Sequence, residues 1–184
     1  MVIYIHGFGG SGEGSKAISF RKYFKEQSID FIAPSLSYIP ELAIKTLEEL
    51  IESYNKDVTL IGSSLGGFYT MYLSQKYSLK AVLLNPSISP YRTLNAYVGT
   101  APSFYDNSSF NWNVNHIDML KNYIQEDIDK NMFLLLVQNG DELLNPQESI
   151  DKFCEGNMIV EEGGSHGFEG IEAHFKHIKD FLIL

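Results

Sequence analysis

Two glycine-flanked segments hold the residues best suited to chemistry. Thr59-Leu60-Ile61-Gly62-Ser63-Ser64-Leu65-Gly66-Gly67 runs from an apolar stretch into a GxSxG spacing, and Gly163-Gly164-Ser165-His166-Gly167 lies far downstream. A strand that enters a tight turn and leaves as a helix lifts the central serine hydroxyl clear of the backbone. Ser64 is therefore the candidate nucleophile. A hydroxyl is a poor nucleophile at neutral pH, so it needs a base and a group that orients the base. Asp141 and His166 follow Ser64 in the chain in that order.

The second GxSxG match, centred on Ser165, lacks this support. No aspartate followed by a histidine lies beyond it in the required arrangement, and the later histidines, His174 and His177, fall along a predicted helix. Gly62 and Gly66 flank Ser64 at the positions where a tight elbow leaves little room for side chains. Asp141 follows an apolar strand in Asn139-Gly140-Asp141-Glu142; Glu142 is the competing acid, and a turn-capping aspartate is the plainer reading of Asp141. His166 follows a strand and a Gly-Gly pair in a loop that can carry the ring over the serine. His6, which precedes Gly7 at the end of the first strand, reads as a structural brace. His116 belongs to a later insertion. His174 and His177 stand three apart with no third metal ligand beside them, so they read as a solvated helix face.

A tetrahedral intermediate needs two donors at its oxyanion, commonly backbone amides. The residue after the serine offers the Leu65 N–H. The loop after the first strand, His6-Gly7-Phe8, offers the Phe8 N–H as the second.

These residues must be brought to one edge of a sheet, and the pattern of elements does so. Short apolar runs alternate with longer amphipathic ones, which predicts a doubly wound, mostly parallel sheet of about six strands. The predicted strands are Val2–Ile5, Asp30–Ala33, Val58–Ile61, Ala81–Leu84, Phe133–Gln138 and Met158–Glu161. Leu47, Leu50, Ile51 and Tyr54 make one helical core stripe; Ile171, Phe175, Ile178 and Leu182 make another. Right-handed crossovers put all strand C-terminal ends on the edge where such sheets bind ligands, with His6, Ser64, Asn85 and Asp141 just beyond them. Residues 86–131 are too long for one crossover. They carry Tyr91, Tyr97, Phe104, Tyr105, Phe110, Trp112 and Tyr123, and read as a small cap insertion that either walls a pocket or plugs the top of the core.

Composition narrows the alternatives. The 184 residues fit one domain spanning 1–184, with 44% hydrophobic and 20% charged residues. A net charge of −9 opposes nucleic acid or an anionic membrane as partner. The lone cysteine, Cys154, forms no internal disulfide and reads as a buried or half-buried inert thiol in a helix; with an N-terminus that starts in a strand-like run, this predicts a cytoplasmic protein. No apolar stretch reaches the roughly 20 residues of a spanning helix. Lys16, Arg21, Lys22 and Lys25 form a basic patch that reads as a solvated helix face, with a phosphorylated carrier as its functional alternative.

Two rival functions fit the sequence less well. Gly7-Phe8-Gly9-Gly10-Ser11-Gly12 formally matches a dinucleotide fingerprint, but the second strand ends in Ala33-Pro34-Ser35 where that fold needs an acid. A protein that binds a ligand or partner without turnover has no reason to keep all three polar groups at one edge.

Several blocks together carry a family resemblance: Tyr4-Ile5-His6-Gly7-Phe8, Gly62-Ser63-Ser64-Leu65-Gly66-Gly67-Phe68-Tyr69, Asn85-Pro86, Gly140-Asp141-Glu142 and Glu162-Gly163-Gly164-Ser165-His166-Gly167-Phe168. The chain resembles, nearly end to end, the small bacterial YqiA-type esterases of the α/β-hydrolase superfamily. The first loop, Gly9 to Gly14, is more glycine-rich than that family's pattern. The resemblance implies the α/β-hydrolase fold, Ser64, Asp141 and His166 as a catalytic triad, and hydrolysis of small-molecule esters or acyl thioesters such as acyl-CoA. It implies neither a metal nor an organic cofactor, and leaves the oligomeric state open.

Overall fold

Four apolar runs, Val2–Ile5 (β1), Thr59–Ser63 (β3), Ala81–Leu84 (β4) and Phe133–Gln138 (β7), form the centre of the sheet, because strands apolar on both faces must be covered on both. They appear in a computed structural model that describes residues 1–183. The short Phe31–Ile32 (β2) and Asn157–Glu161 (β8) complete a six-stranded, all-parallel sheet of order β2-β1-β3-β4-β7-β8. This is the α/β-hydrolase fold.

Alternate strand residues divide into two cores. Ile3, Ile5, Leu60, Leu83 and Leu135 face Pro40–Ser53 (α2), Leu65–Tyr77 (α3), Val114–Lys121 (α5) and Pro146–Lys152 (α6). Val2, Tyr4, Ile61, Val82 and Leu134 face Ser15–Glu26 (α1) and Phe175–Ile183 (α7). In α1, Ala17, Phe20 and Phe24 recur at helical spacing and are fully buried, each phenylalanine contributing about 1.5–3 kcal/mol by leaving water. α3 is buried nearly all round, as befits the helix that follows the serine into the middle of the protein.

The predicted strand Asp30–Ala33 shortens to Phe31–Ile32, since Pro34 has no N–H to extend the ladder. In the stripe on α2, Leu47 and Ile51 are core, Leu50 is half-buried, and Tyr54 is exposed where the helix ends. Ile171, Phe175, Ile178 and Leu182 are all buried as expected. Cys154 corrects the sequence reading: α6 stops at Lys152, Phe153 turns into the core, and Cys154 is left exposed on the following turn.

Between β4 and β7 the chain holds the one-turn helix Pro90–Thr93 (α4), a 3-10 turn at Leu94–Tyr97, an antiparallel hairpin of Gly99–Pro102 (β5) and Ser109–Trp112 (β6), and α5. Asn113 starts α5 by accepting from the Asn115 and His116 amides, while the His116 ring accepts from the Asn113 N–H. No helix among the described residues is long and apolar enough to cross a membrane.

Candidate active site

β1 and β3 pair in register from Val2–Thr59 to Ile5–Gly62, so the chain leaves both strands at one level. This is where the strand order reverses, the crevice position of open α/β sheets. Ser64 emerges from β3 with φ 55° and ψ −123°, a conformation L-residues rarely adopt. Its backbone is held all round: Ser64 N–H donates to Leu84 O at 3.2 Å, and Ser64 O accepts from Gly67 at 2.9 Å and Ser87 at 3.0 Å. Gly66 is required here, because a Cβ would collide with the carbonyl oxygens of Ile5 and His6. Gly7 lets the first loop approach Ser64, since a Cβ there would lie 3.0 Å from Ser64 Cβ and 3.4 Å from its Oγ.

Three predicted residues meet in a line. His166 Nε2 lies 2.9 Å from Ser64 Oγ, and His166 Nδ1 lies 2.8 Å from Asp141 Oδ2. The Asp141 side chain is only 2% exposed, against 18% for His166. Its other oxygen, Oδ1, accepts from the amides of Leu143 at 2.9 Å and Leu144 at 2.8 Å. Burial disfavours the Asp141 carboxylate, but the His166 ring and the two amides outweigh it and hold the pKa below the ordinary aspartate value. The neighbouring Glu142 instead accepts the His166 backbone N–H at 2.9 Å, through Oε2.

The loop carrying His166 is secured by Asn85, which the sequence placed at this edge without a role, and by Gln138, which the sequence reading passed over. Asn85 Nδ2 donates to Ser165 O at 2.9 Å, and Asn85 Oδ1 accepts from Gln138 N–H at 2.9 Å. The Gln138 carboxamide donates to Glu169 O at 2.8 Å and Glu161 at 2.9 Å, and accepts from Ser165 at 3.2 Å and Glu169 at 2.8 Å. The available signal was a polar residue closing the apolar run Phe133–Val137. Ser165 thus contributes backbone to the loop.

His6 is a brace. The Leu36 N–H donates to its Nε2 at 3.0 Å, so Nδ1 carries the proton and donates to Gly7 O at 2.8 Å. Burial, partly offset by the Gly7 carbonyl, lowers its pKa. Gly7 O also accepts from Gly10, and Gly9 O accepts from Phe104 at 2.8 Å. The Phe8 ring enters a cluster with Tyr97, Phe110 and Trp112, its centroid 4.9 Å from that of Trp112. The glycine-rich loop is therefore packed between the Ser64 elbow and the hairpin. Phe8 and Leu65 line the same cavity as Ser64, and neither amide is used in the backbone hydrogen bonds of the surrounding turns among the described residues.

A cavity of about 780 Å³ opens over Ser64 and His166. Leu65, Leu94, Ala96 and Tyr97 supply an apolar wall, with Phe104 and Tyr105 exposed at its mouth. Trp112, by contrast, is fully buried, so the insertion's aromatics both wall the cavity and plug the top of the core. Of the remaining histidines, His174 is half-buried on a 3-10 turn and lies 2.8 Å from Glu161, while His177 is exposed. This corrects the solvated reading of His174. Among the described residues, no cluster of three or more His, Cys, Asp and Glu could hold a metal ion.

The family described as "Uncharacterised protein family (UPF0227)" matches residues 1–183. The chain is 24% identical over 193 residues to the UPF0227 protein YcfP of Escherichia coli O9:H4, covering 100% of this chain and 99% of that protein. A UPF0227 protein of Pectobacterium atrosepticum is 24% identical over 189 residues, with the same coverage. Among solved structures, a putative hydrolase from Agrobacterium vitis superposes with a TM-score of 0.80 at 15% identity, over 98% of this chain and 87% of that one. Mouse alpha/beta hydrolase domain-containing protein 10 gives 0.75 at 17%, over 97% and 88%. Est1E of Butyrivibrio proteoclasticus, solved with ferulic acid bound, gives 0.74 at 13%, over 99% and 87%.

Proposed function

We propose that this chain, which belongs to the UPF0227 family, is a serine hydrolase that cleaves carboxylic esters or acyl thioesters through an acyl-enzyme on Ser64. The observation that carries this reading is the continuous hydrogen-bonded line from Ser64 Oγ through His166 to the buried Asp141 carboxylate.

His166 Nε2 takes the Ser64 proton as Oγ attacks the substrate carbonyl, then delivers it to the departing alcohol or thiol. Asp141 holds the proton on Nδ1, which leaves Nε2 free as the base, and stabilises the imidazolium during attack. The Leu65 and Phe8 amides receive the oxyanion, aided by the N-terminal end of α3. Water, activated by the same ring, then releases the acyl group. The sequence uses no metal or organic cofactor. Residues 86–131 act as a cap whose apolar wall receives the acyl chain. Structural neighbours described as an esterase domain and as lipolytic enzymes support the reaction class, and the single unpaired cysteine is in keeping with a cytoplasmic setting.

The test is labelling by a fluorophosphonate probe, with the modified peptide located by mass spectrometry. Labelling at Ser64 that disappears in Ser64→Ala, together with loss of ester turnover by about 10⁴-fold or more, is expected. Turnover at wild-type level in Ser64→Ala would refute the assignment.

A further inference from the structure

Lys16 departs from the solvated face expected of its helix. It is half-buried and lines the same cavity as Ser64 and His166, the one Lys or Arg among the described residues to do so. Its ammonium donates to Gly167 O at 2.6 Å, the carbonyl just after the proposed base. No carboxylate lies within ion-pair distance among the described residues, although Arg21 on the same helix has Glu13 at 2.9 Å. The first turn of α1 also has no acidic residue.

The other ionised groups lining the cavity are engaged elsewhere. Glu13 is held by Arg21, and Glu142 by the His166 amide. An ammonium has three donors, and the Gly167 carbonyl occupies one. A cation held partly out of water without a counter-charge loses some of its hydration, and burial lowers its pKa accordingly. A substrate anion would offset that loss.

Position says which end of the substrate carries the anion. Lys16 comes from the α1 layer on one face of the sheet and touches the loop behind His166, the group that protonates the leaving atom. Leu94, in the apolar wall, belongs to the core on the opposite face. We propose that Lys16 is a specificity residue that selects esters or thioesters whose leaving group bears a carboxylate. One ammonium matches a monoanion. This rests on the serine-hydrolase reading for the identity of the leaving group, but its test reads binding alone.

Two butyryl thioesters, of N-acetylcysteine and of N-acetylcysteamine, differ by one carboxylate. Their affinities for Ser64→Ala and for Ser64→Ala/Lys16→Met are measured by calorimetry. The carboxylate-bearing thioester is expected to bind Ser64→Ala about tenfold more tightly or better, and the preference to vanish in the double variant. Equal affinities in Ser64→Ala would overturn the proposal. So would an equal weakening of both thioesters by Lys16→Met, which would make Lys16 only a clamp on the Gly167 loop. The hydrolase reading is judged separately, by fluorophosphonate labelling of the wild-type protein.

Discussion

Gln138 grips the backbone of Glu169 from both sides: its Nε2 donates to the Glu169 carbonyl at 2.8 Å and its Oε1 accepts the Glu169 amide at 2.8 Å. Glu169 closes the loop that carries His166, so the end of β7 sets where the proposed base stands. Gln138→Leu keeps bulk but strands the part-buried partners of a buried carboxamide, and a buried polar group left unpaired costs about 1–3 kcal/mol. A loss of about 2 kcal/mol or more in urea unfolding is expected, with reduced ester turnover. Unchanged stability and turnover would show that the loop is held by other contacts.

Two adjacent acids make different bonds to the same histidine. Asp141→Asn disturbs the proton on Nδ1 and is expected to lower kcat by about 10³–10⁴-fold. Glu142→Gln keeps a carbonyl oxygen for the His166 amide and is expected to cost less than about tenfold. Steady-state kinetics of both variants decide it; the larger loss in Glu142→Gln would move the acid's role to Glu142.

Glycines at the elbow separate folding from activity. At Gly66 the atoms that a methyl group meets are backbone oxygens of Ile5 and His6, which have no room to retreat. Gly66→Ala is expected to destabilise by about 3 kcal/mol or more, or to prevent folding. Gly7→Ala presses on the Ser64 side chain and is expected to lower kcat/KM about tenfold or more with a near-native melting temperature. Thermal scans beside kinetics of both variants check this; equal effects on folding would contradict it.

The buried His6 ring gives stability a pH dependence. Its folded pKa lies below the ordinary value near 6.5, so the unfolded chain takes up the proton first. The stability from the neutral ring is therefore complete above about pH 6.5 and is lost as pH falls from there through the lower folded value. Melting temperatures from pH 8 to pH 5 are expected to fall more steeply in the wild type than in His6→Gln. Parallel curves would show that His6 does not titrate differently on folding.

Much of the sheet was legible because strands buried on both faces must be apolar throughout. Val2–Ile5, Ala81–Leu84 and Phe133–Gln138 stand where their composition predicts. The hairpin within residues 86–131 was not legible. Gly99–Pro102 and Ser109–Trp112 lack a clean alternation, and they pair under the influence of the first loop and the buried Trp112. Cys154 misled for a related reason: helical periodicity does not tell where α6 gives way to a turn.

By itself the sequence determined the central strands, the core stripes of two helices and the chain order of Ser64, Asp141 and His166, along with the glycines that a tight elbow demands. These depend on local rules of periodicity, turn chemistry and steric room. Tertiary structure alone put Asp141 against the His166 ring and Glu142 against its backbone amide, drew Lys16 out of its helix face into the cavity, and set Gln138 and Asn85 beneath the His166 loop. Such outcomes depend on strand register and loop closure between residues far apart in the chain, where neighbours of identical chemistry are told apart only by what each can reach.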